Sequence, residues 1–413
     1  MNDLRLGPYT NDFIWAGGIE DTFIPQERPG LRALEEYELT QHYQQWCDDL
    51  DRAATLGITM LRWGVPWYRV EARPGVFDWS WVDQVLEYMV RDLRIQPIVD
   101  LMHYGTPLWL DGSFADPGYP ARVAAYAEAF ARRYGQLVRY YTPLNEPTVN
   151  ADFCGRRGEW PPYLEGDAGF VRVLLPIARG IQLSAQAIRA VDPDAVLVAV
   201  EATGWRRAAT PSAQAAAVFH DQSDLLCWDL VRGAVGQAHP LHSWLVGHGA
   251  GADELAALRA GATEQDIFGV NFYPWSAAEL APGADGRIEA HAVPRDGHLL
   301  ADVLRRCYLH SEKPLFVTET SAKEDIGGRA AWMDETIEAV RAARAGGVPV
   351  MGYTWFPLIS MIEWDYRTSS RPIADHLLHL GLWDSRFDER GILQRHATPL
   401  VETYRSYVAR GAP

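Results

Sequence analysis

Two glutamates carry the strongest chemical signal in the chain. Glu146 stands in the segment Tyr-Thr-Pro-Leu-Asn-Glu-Pro (141–147), and Glu319 in Leu-Phe-Val-Thr-Glu-Thr (315–320). Each follows a short run of β-forming residues, which places each at the carboxyl end of a strand. Counted along the chain, these are the fourth and seventh such runs. In an eight-stranded barrel those two strands face each other across the mouth, and two carboxyls there can flank one glycosidic bond. One protonates the leaving oxygen, and the other attacks the anomeric carbon or activates a water. A Glu at a strand end can also cap a helix or pair with an Arg, but two of them on these strands fit the paired role better. Retention of configuration requires the carboxyls to stand about 5–5.5 Å apart.

The elements that must hold such a pair are legible. Apolar, β-rich runs recur at 13–17, 59–63, 97–102, 140–144, 196–200, 268–272, 315–318 and 350–355. Stretches with helical periodicity alternate with them, at 36–55, 80–91, 121–134, 171–190, 252–260, 300–309, 329–345 and 399–410. Stop signals fall at Gly57, Gly135, Gly261, Gly346 and Gly347. Eight strand-then-helix units predict a single α/β (β/α)8 TIM barrel spanning 1–413, with the glutamates at the ends of strands four and seven. An open doubly wound sheet competes, but no GxGxxG follows the first strand and there is no P-loop.

Composition narrows the function classes. At 48% hydrophobic and 22% charged, the 413-residue chain can bury a large core, which argues against disorder. A net charge of −16 disfavours nucleic acid and anionic lipid as partners, since both need a basic face. Sixteen Trp, 18 Tyr and 13 Phe suit a site that stacks on flat apolar faces, sugar rings included. The four cysteines, Cys47, Cys154, Cys227 and Cys307, form no C-x-x-C pair and read as reduced, buried thiols. The opening residues MNDLRLGPYTNDF carry no apolar signal region, and no apolar run approaches membrane-spanning length. A cytoplasmic protein is the resulting expectation.

The chain resembles glycoside hydrolase family one, the retaining β-glycosidases, over essentially its whole length. The family's T-x-N-E-P and T-E-N-G segments are similar to 142–147 and 318–321 here. The resemblance implies that Glu146 is the general acid/base, that Glu319 is the nucleophile, and that Asn145 binds the sugar 2-hydroxyl. Leu61-Arg-Trp-Gly-Val-Pro-Trp67 resembles R-F-S-x-x-W and puts Arg62 beside the nucleophile, where a guanidinium lowers its pKa. Met102-His-Tyr-Gly-Thr-Pro107 resembles H-W-D-L-P and places His103 on glycone hydroxyls. Phe268-Gly-Val-Asn-Phe-Tyr273 resembles G-x-N-Y-Y, so Tyr273 is to donate to Glu319. Segments 353–357 and 362–364 resemble W-S-L-L-D-N-F-E-W, giving Trp355 as the floor of the sugar and Glu363 with Trp364 as binders of its outer hydroxyls. No cofactor or metal is implied.

Departures bear on the substrate. The family's first-strand Gln has no aligned counterpart, and Glu20 is the nearest polar candidate. Tyr104 and Gly105 replace the Trp and Asp of H-W-D-L-P, which is expected to open space beside the scissile bond. Around Glu363 the local sequence holds no Lys, which disfavours a 6-phosphorylated glycone. Weak activity on cellobiose and better activity on bulky, flat aglycones are therefore expected. The pairs His239/His242 and His376/His379 have ligand-like i,i+3 spacing but read as loop or capping residues, and no GxSxG elbow is present. Three readings stay open: a retaining β-glycosidase of β-glucosidase type acting on a small-molecule β-glycoside, a transglycosylase using the same pair, and a non-enzymatic sugar-binding barrel. Oligomeric state is not legible.

Overall fold

The computed structural model describes residues 13–413, so the reading of the opening segment lies outside the described residues except for Phe13. Eight strands are β1 (Ile14–Gly18), β2 (Met60–Gly64), β3 (Gln96–Asp100), β4 (Tyr140–Thr142), β5 (Val196–Ala202), β6 (Ile267–Asn271), β7 (Leu315–Glu319) and β8 (Val350–Trp355). All pair in parallel with their chain neighbours, and β8 returns to β1 to close the barrel. Parallel strands need crossovers, and helices supply them. These are α1 (His42–Thr55), α2 (Ser80–Glu87), α3 (Tyr119–Tyr134), α4 (Gly166–Val191), α5 (Ala252–Ala260), α6 (Leu300–Ser311), α7 (Ile326–Ala345) and α8 (Leu400–Arg410).

The strands are buried on both faces, and alternation sorts their side chains. Ile14, Ala16, Met60, Ile98, Tyr140, Val196, Val198, Val200, Ile267 and Phe316 form one cluster inside the barrel. Their neighbours, such as Trp15, Leu61, Trp63, Val99 and Tyr353, join the larger core between barrel and helices.

Several boundaries differ from expectation. The helix expected over 36–55 is two pieces, Glu36–Leu39 and α1, because Gln41 between them is left-handed with φ 60°. The fourth strand stops at Thr142, since Pro143 has no N–H for the ladder. After β5 come three unpredicted short helices (Gln214–Ser223, Leu226–Val231 and His242–Gly247) before α5. A small sheet of Trp205–Ala208, Ala277–Pro282 and Ile288–Ala292 joins the long connections after β5 and β6. Among the described residues, no helix is long and apolar enough to cross a membrane.

Candidate active site

The carboxyl ends of the barrel strands deliver nearly every predicted side chain to one cleft of about 670 Å³. Glu20, His103, Tyr104, Glu146, Tyr273, Glu319, Glu363 and Trp364 line it, together with Asn271, Trp275 and Lys323. Arg62 and Asn145 are fully buried and bond directly to residues of that lining.

Glu319 is the last residue of β7. Its Oε1 accepts from Arg62 Nη1 at 2.5 Å and its Oε2 from the Tyr273 hydroxyl at 2.7 Å. Arg62, on β2, gives its other terminal nitrogen to Asp100 Oδ2 at 2.5 Å and to Asn145 Oδ1 at 3.1 Å. Burial opposes the charge on Arg62, but Asp100 and Glu319 outweigh it and keep the guanidinium protonated. The Tyr273 phenol also stays protonated, through burial first and the Glu319 charge second. Arg62 was expected to lower the Glu319 pKa. It does pull in that direction, but burial is the larger effect and Glu146 adds to it, so Glu319 is pushed up to about 8.

Glu146 is held differently. It lies four residues beyond β4, at the start of the short helix Pro147–Ala151, with left-handed backbone at φ 44°. Its Oε1 accepts from Asn271 Nδ2 at 2.8 Å and its Oε2 from the Tyr104 hydroxyl. Tyr104 in turn accepts from Asn145 Nδ2 at 3.3 Å, whose other N–H faces His103 Nε2 at 2.8 Å. Thus neutral donors hold Glu146, whereas a cation holds Glu319. A continuous chain of hydrogen bonds, Glu319–Arg62–Asn145–Tyr104–Glu146, joins the two. The Asn145 amide nitrogen is thus already within hydrogen-bond distance of two protein groups, the Tyr104 hydroxyl and the His103 ring.

Around this pair the sugar-binding candidates divide. Glu20 accepts from the Thr22 amide at 3.1 Å and stands 3.7 Å from His103 Nε2. His103 Nδ1 meets Asp21 Oδ1 at 2.9 Å, and burial pushes the Asp21 carboxyl up to about 7 while His103 opposes it. Only glycine at 64 permits this, because a Cβ there would lie 1.4 Å from Asp21 Oδ2. Asp21, Asp100 and His103 have ligand atoms within 4.8 Å of one another, a spacing that could hold a cation, but Arg62 Nη2 already occupies Asp100. Trp364 lines the cleft, and its indole N–H has no protein partner among the described residues.

Three expectations need correction. Trp355 is not the floor. It is fully buried in the core outside the barrel, and its indole donates to the Leu380 carbonyl at 3.1 Å. Counted back from Glu363, the first position of W-S-L-L-D-N-F-E-W falls on Phe356. The Phe356 ring lies 5.2 Å from the Arg62 guanidinium and stacks on His103 at 6.3 Å. Second, Glu363 does have a lysine: Lys323, from the loop after β7, forms an ion pair with it. Third, Tyr104 does not leave space. Its ring packs on Trp160 at 5.2 Å and edge-on to Trp364 at 5.7 Å.

Sequence reasoning also missed Glu201, a fully buried carboxyl on β5. It accepts from Thr148 Oγ1 at 2.9 Å and Trp228 Nε1 at 3.1 Å. Burial, then the nearby Glu146, raises its pKa well above the usual range. Its only signal was a charged residue in an apolar strand. Three of the four paired histidines have local partners: His239 meets Asp229 at 3.1 Å, His376 meets Asp365 at 2.7 Å, and His379 meets Ser360 at 2.7 Å.

Known proteins resemble this chain in sequence and in shape. It is 22% identical over 371 residues to β-glucosidase 47 of Arabidopsis thaliana, covering 78% of this chain and 69% of that protein. It is 21% identical over 398 residues to the 1,4-β-D-glucan glucohydrolase of Thermotoga neapolitana, covering 83% and 86%. The solved structure of β-glucosidase from Thermotoga maritima in complex with castanospermine superposes with a TM-score of 0.83 at 17% identity, over 97% of this chain and 98% of that one, so the two share a fold. The family model for glycosyl hydrolase family 1 matches residues 18–228, a span that includes Glu20, Arg62, His103, Asn145 and Glu146 and ends before Tyr273 and Glu319. With half the chain matched and the barrel closed, this protein belongs to glycosyl hydrolase family 1.

Proposed function

We propose that the chain is a retaining β-glycosidase of β-glucosidase type, with residues 1–413 as a single catalytic unit. The observation that carries this is the unequal environment of two carboxyls in one cleft. Glu319, beside the fixed positive charge of Arg62 and the Tyr273 phenol, suits a nucleophile that must be ionised. Glu146, held by Tyr104 and Asn271, suits a group that gives up and regains a proton. Glu319 attacks the anomeric carbon while Glu146 protonates the leaving oxygen; Glu146 then takes a proton from water, which releases the sugar. Glu20, His103, Glu363 and Trp364 surround the glycone, with Phe356 in place of Trp355 beneath it and Asn145 acting from behind. The four free cysteines, three of them buried, support a reducing cytoplasmic location.

Substitution tests the roles. Glu319→Gly should abolish turnover of every substrate. Glu146→Ala should lose far more activity on poor leaving groups than on activated aryl β-glucosides, and azide should restore it with a β-glycosyl azide product. An α-azide, or no rescue, overturns the assignment. An alcohol acceptor added during turnover distinguishes hydrolysis from transglycosylation by the products formed.

A further inference from the structure

Tyr104 stands where the H-W-D-L-P motif has Trp, and it is the point at which this cleft departs most from that motif. The residue is buried, and its ring is wedged against Trp160 and Trp364. Its oxygen accepts from Asn145 Nδ2, which directs its own O–H to Glu146 Oε2. Burial, followed by the Glu146 and Glu319 charges, keeps the phenol protonated far beyond neutral pH, so it acts as a donor only toward that carboxyl.

We propose that Tyr104 is a positioning residue that stabilises the charge developing on Glu146 as its proton leaves. The inference rests on Glu146 being the acid/base. In the first step the Glu146 O–H bond breaks, and its electron pair stays on the carboxyl. The proton joins the leaving oxygen, which keeps the electron pair of the broken bond to the anomeric carbon, while Glu319 forms the new bond. A donor fixed on Glu146 gains strength as that negative charge grows, so it favours the transition state over the ground state. In the second step the same donor makes the carboxylate a weaker base. Tyr104 therefore biases the site toward cleavage of unactivated leaving groups. Its anchor is the Arg62–Asn145 contact at 3.1 Å, which ties the donor to the same guanidinium that holds Glu319.

The test is Tyr104→Phe, which keeps the ring and its packing and removes only the hydroxyl. Values of kcat/KM are measured on dinitrophenyl, nitrophenyl and phenyl β-glucosides, beside Glu146→Ala on the same series. The loss in Tyr104→Phe should grow from about twofold on the dinitrophenyl substrate to tenfold or more on the phenyl one, as expected for a hydrogen bond to a developing charge. On the dinitrophenyl substrate, kcat, which reports the second step, should hold or rise, because loss of the donor leaves the Glu146 carboxylate a stronger base. A loss of equal size across the series overturns the proposal and makes Tyr104 a wall of the cleft. If Glu146→Ala is itself flat across the series, Glu146 is not the acid and the parent reading fails. A steep Glu146→Ala with a flat Tyr104→Phe removes the Tyr104 role alone.

Discussion

Glu319 and Glu146 share a buried cleft and work only when one is ionised and the other protonated. Glu319 is pushed up to about 8 by burial first, with the charge of the second carboxyl adding to it, so its ionised form is gained only as pH rises through that value. Below that value the Glu319 carboxyl holds its proton and cannot attack, and above it the carboxylate is free to do so. kcat/KM should therefore rise with pH up to about 8, and Glu146→Gln, which removes a neighbouring charge that raises Glu319, should move that limb to lower pH. The backbone at Glu146 makes a separate prediction. At φ 44° any residue with a Cβ is strained by about 1 kcal/mol relative to glycine. Glu146→Gly should then resist thermal or urea unfolding better than Glu146→Ala by about that amount. At this scale the sequence showed which side chains meet: Glu146 and Glu319 line one cleft, and Arg62 bonds to Glu319. It misled where facing matters. Adjacent strand residues point to opposite sides, so a one-residue error in register at the end of β8 exchanged Trp355, which packs outward, for Phe356.

The elements that frame the cleft decide what lies beyond the sugar. Just past β6, the exposed Trp275 stacks on Tyr273 with centroids 4.5 Å apart and planes 9° from parallel. Tyr273 itself donates to Glu319, so this pair builds a flat wall running outward from the reacting centre. With Tyr104 filling its own corner, any preference for flat aglycones over cellobiose falls to that wall. Trp275→Ala should lower kcat/KM on a naphthyl β-glucoside by about two- to tenfold, from lost stacking of roughly 0.5–1.5 kcal/mol, and change a methyl β-glucoside little. Equal effects on both would assign the Trp to packing. Strands and major helices were legible because burial on two faces and 3.6-residue periodicity leave local traces. The ion pair of Lys323 with Glu363 was not, because it joins two loops that only barrel closure brings together. The small sheet was missed for the same reason, since Trp205–Ala208 finds its partner Ala277–Pro282 across the connection between β5 and β6.

At the scale of the whole molecule, the seam between β1 and β8 carries contacts that span nearly the full length of the described chain. The helix α8 lies over it: the Tyr404 hydroxyl donates to the Ala16 carbonyl at 2.6 Å, 388 positions away, and to Tyr353 O at 3.3 Å. The Trp15 indole donates to Gly411 O at 2.9 Å. Tyr404 is fully buried, so Tyr404→Phe leaves two strand carbonyls short of a donor and should cost about 1–3 kcal/mol of stability, measured by urea unfolding, with kcat little changed. This latch also sets an order on synthesis. A ribosome delivers β1 first and α8 last, so the first strand must wait with one edge unpaired while the rest of the barrel is made. Every residue proposed to touch the sugar has been translated by Trp364. A nascent chain stalled just short of α8 should nonetheless be inactive and open to protease near β1, and it should gain both activity and resistance once the last turn of that helix has left the tunnel.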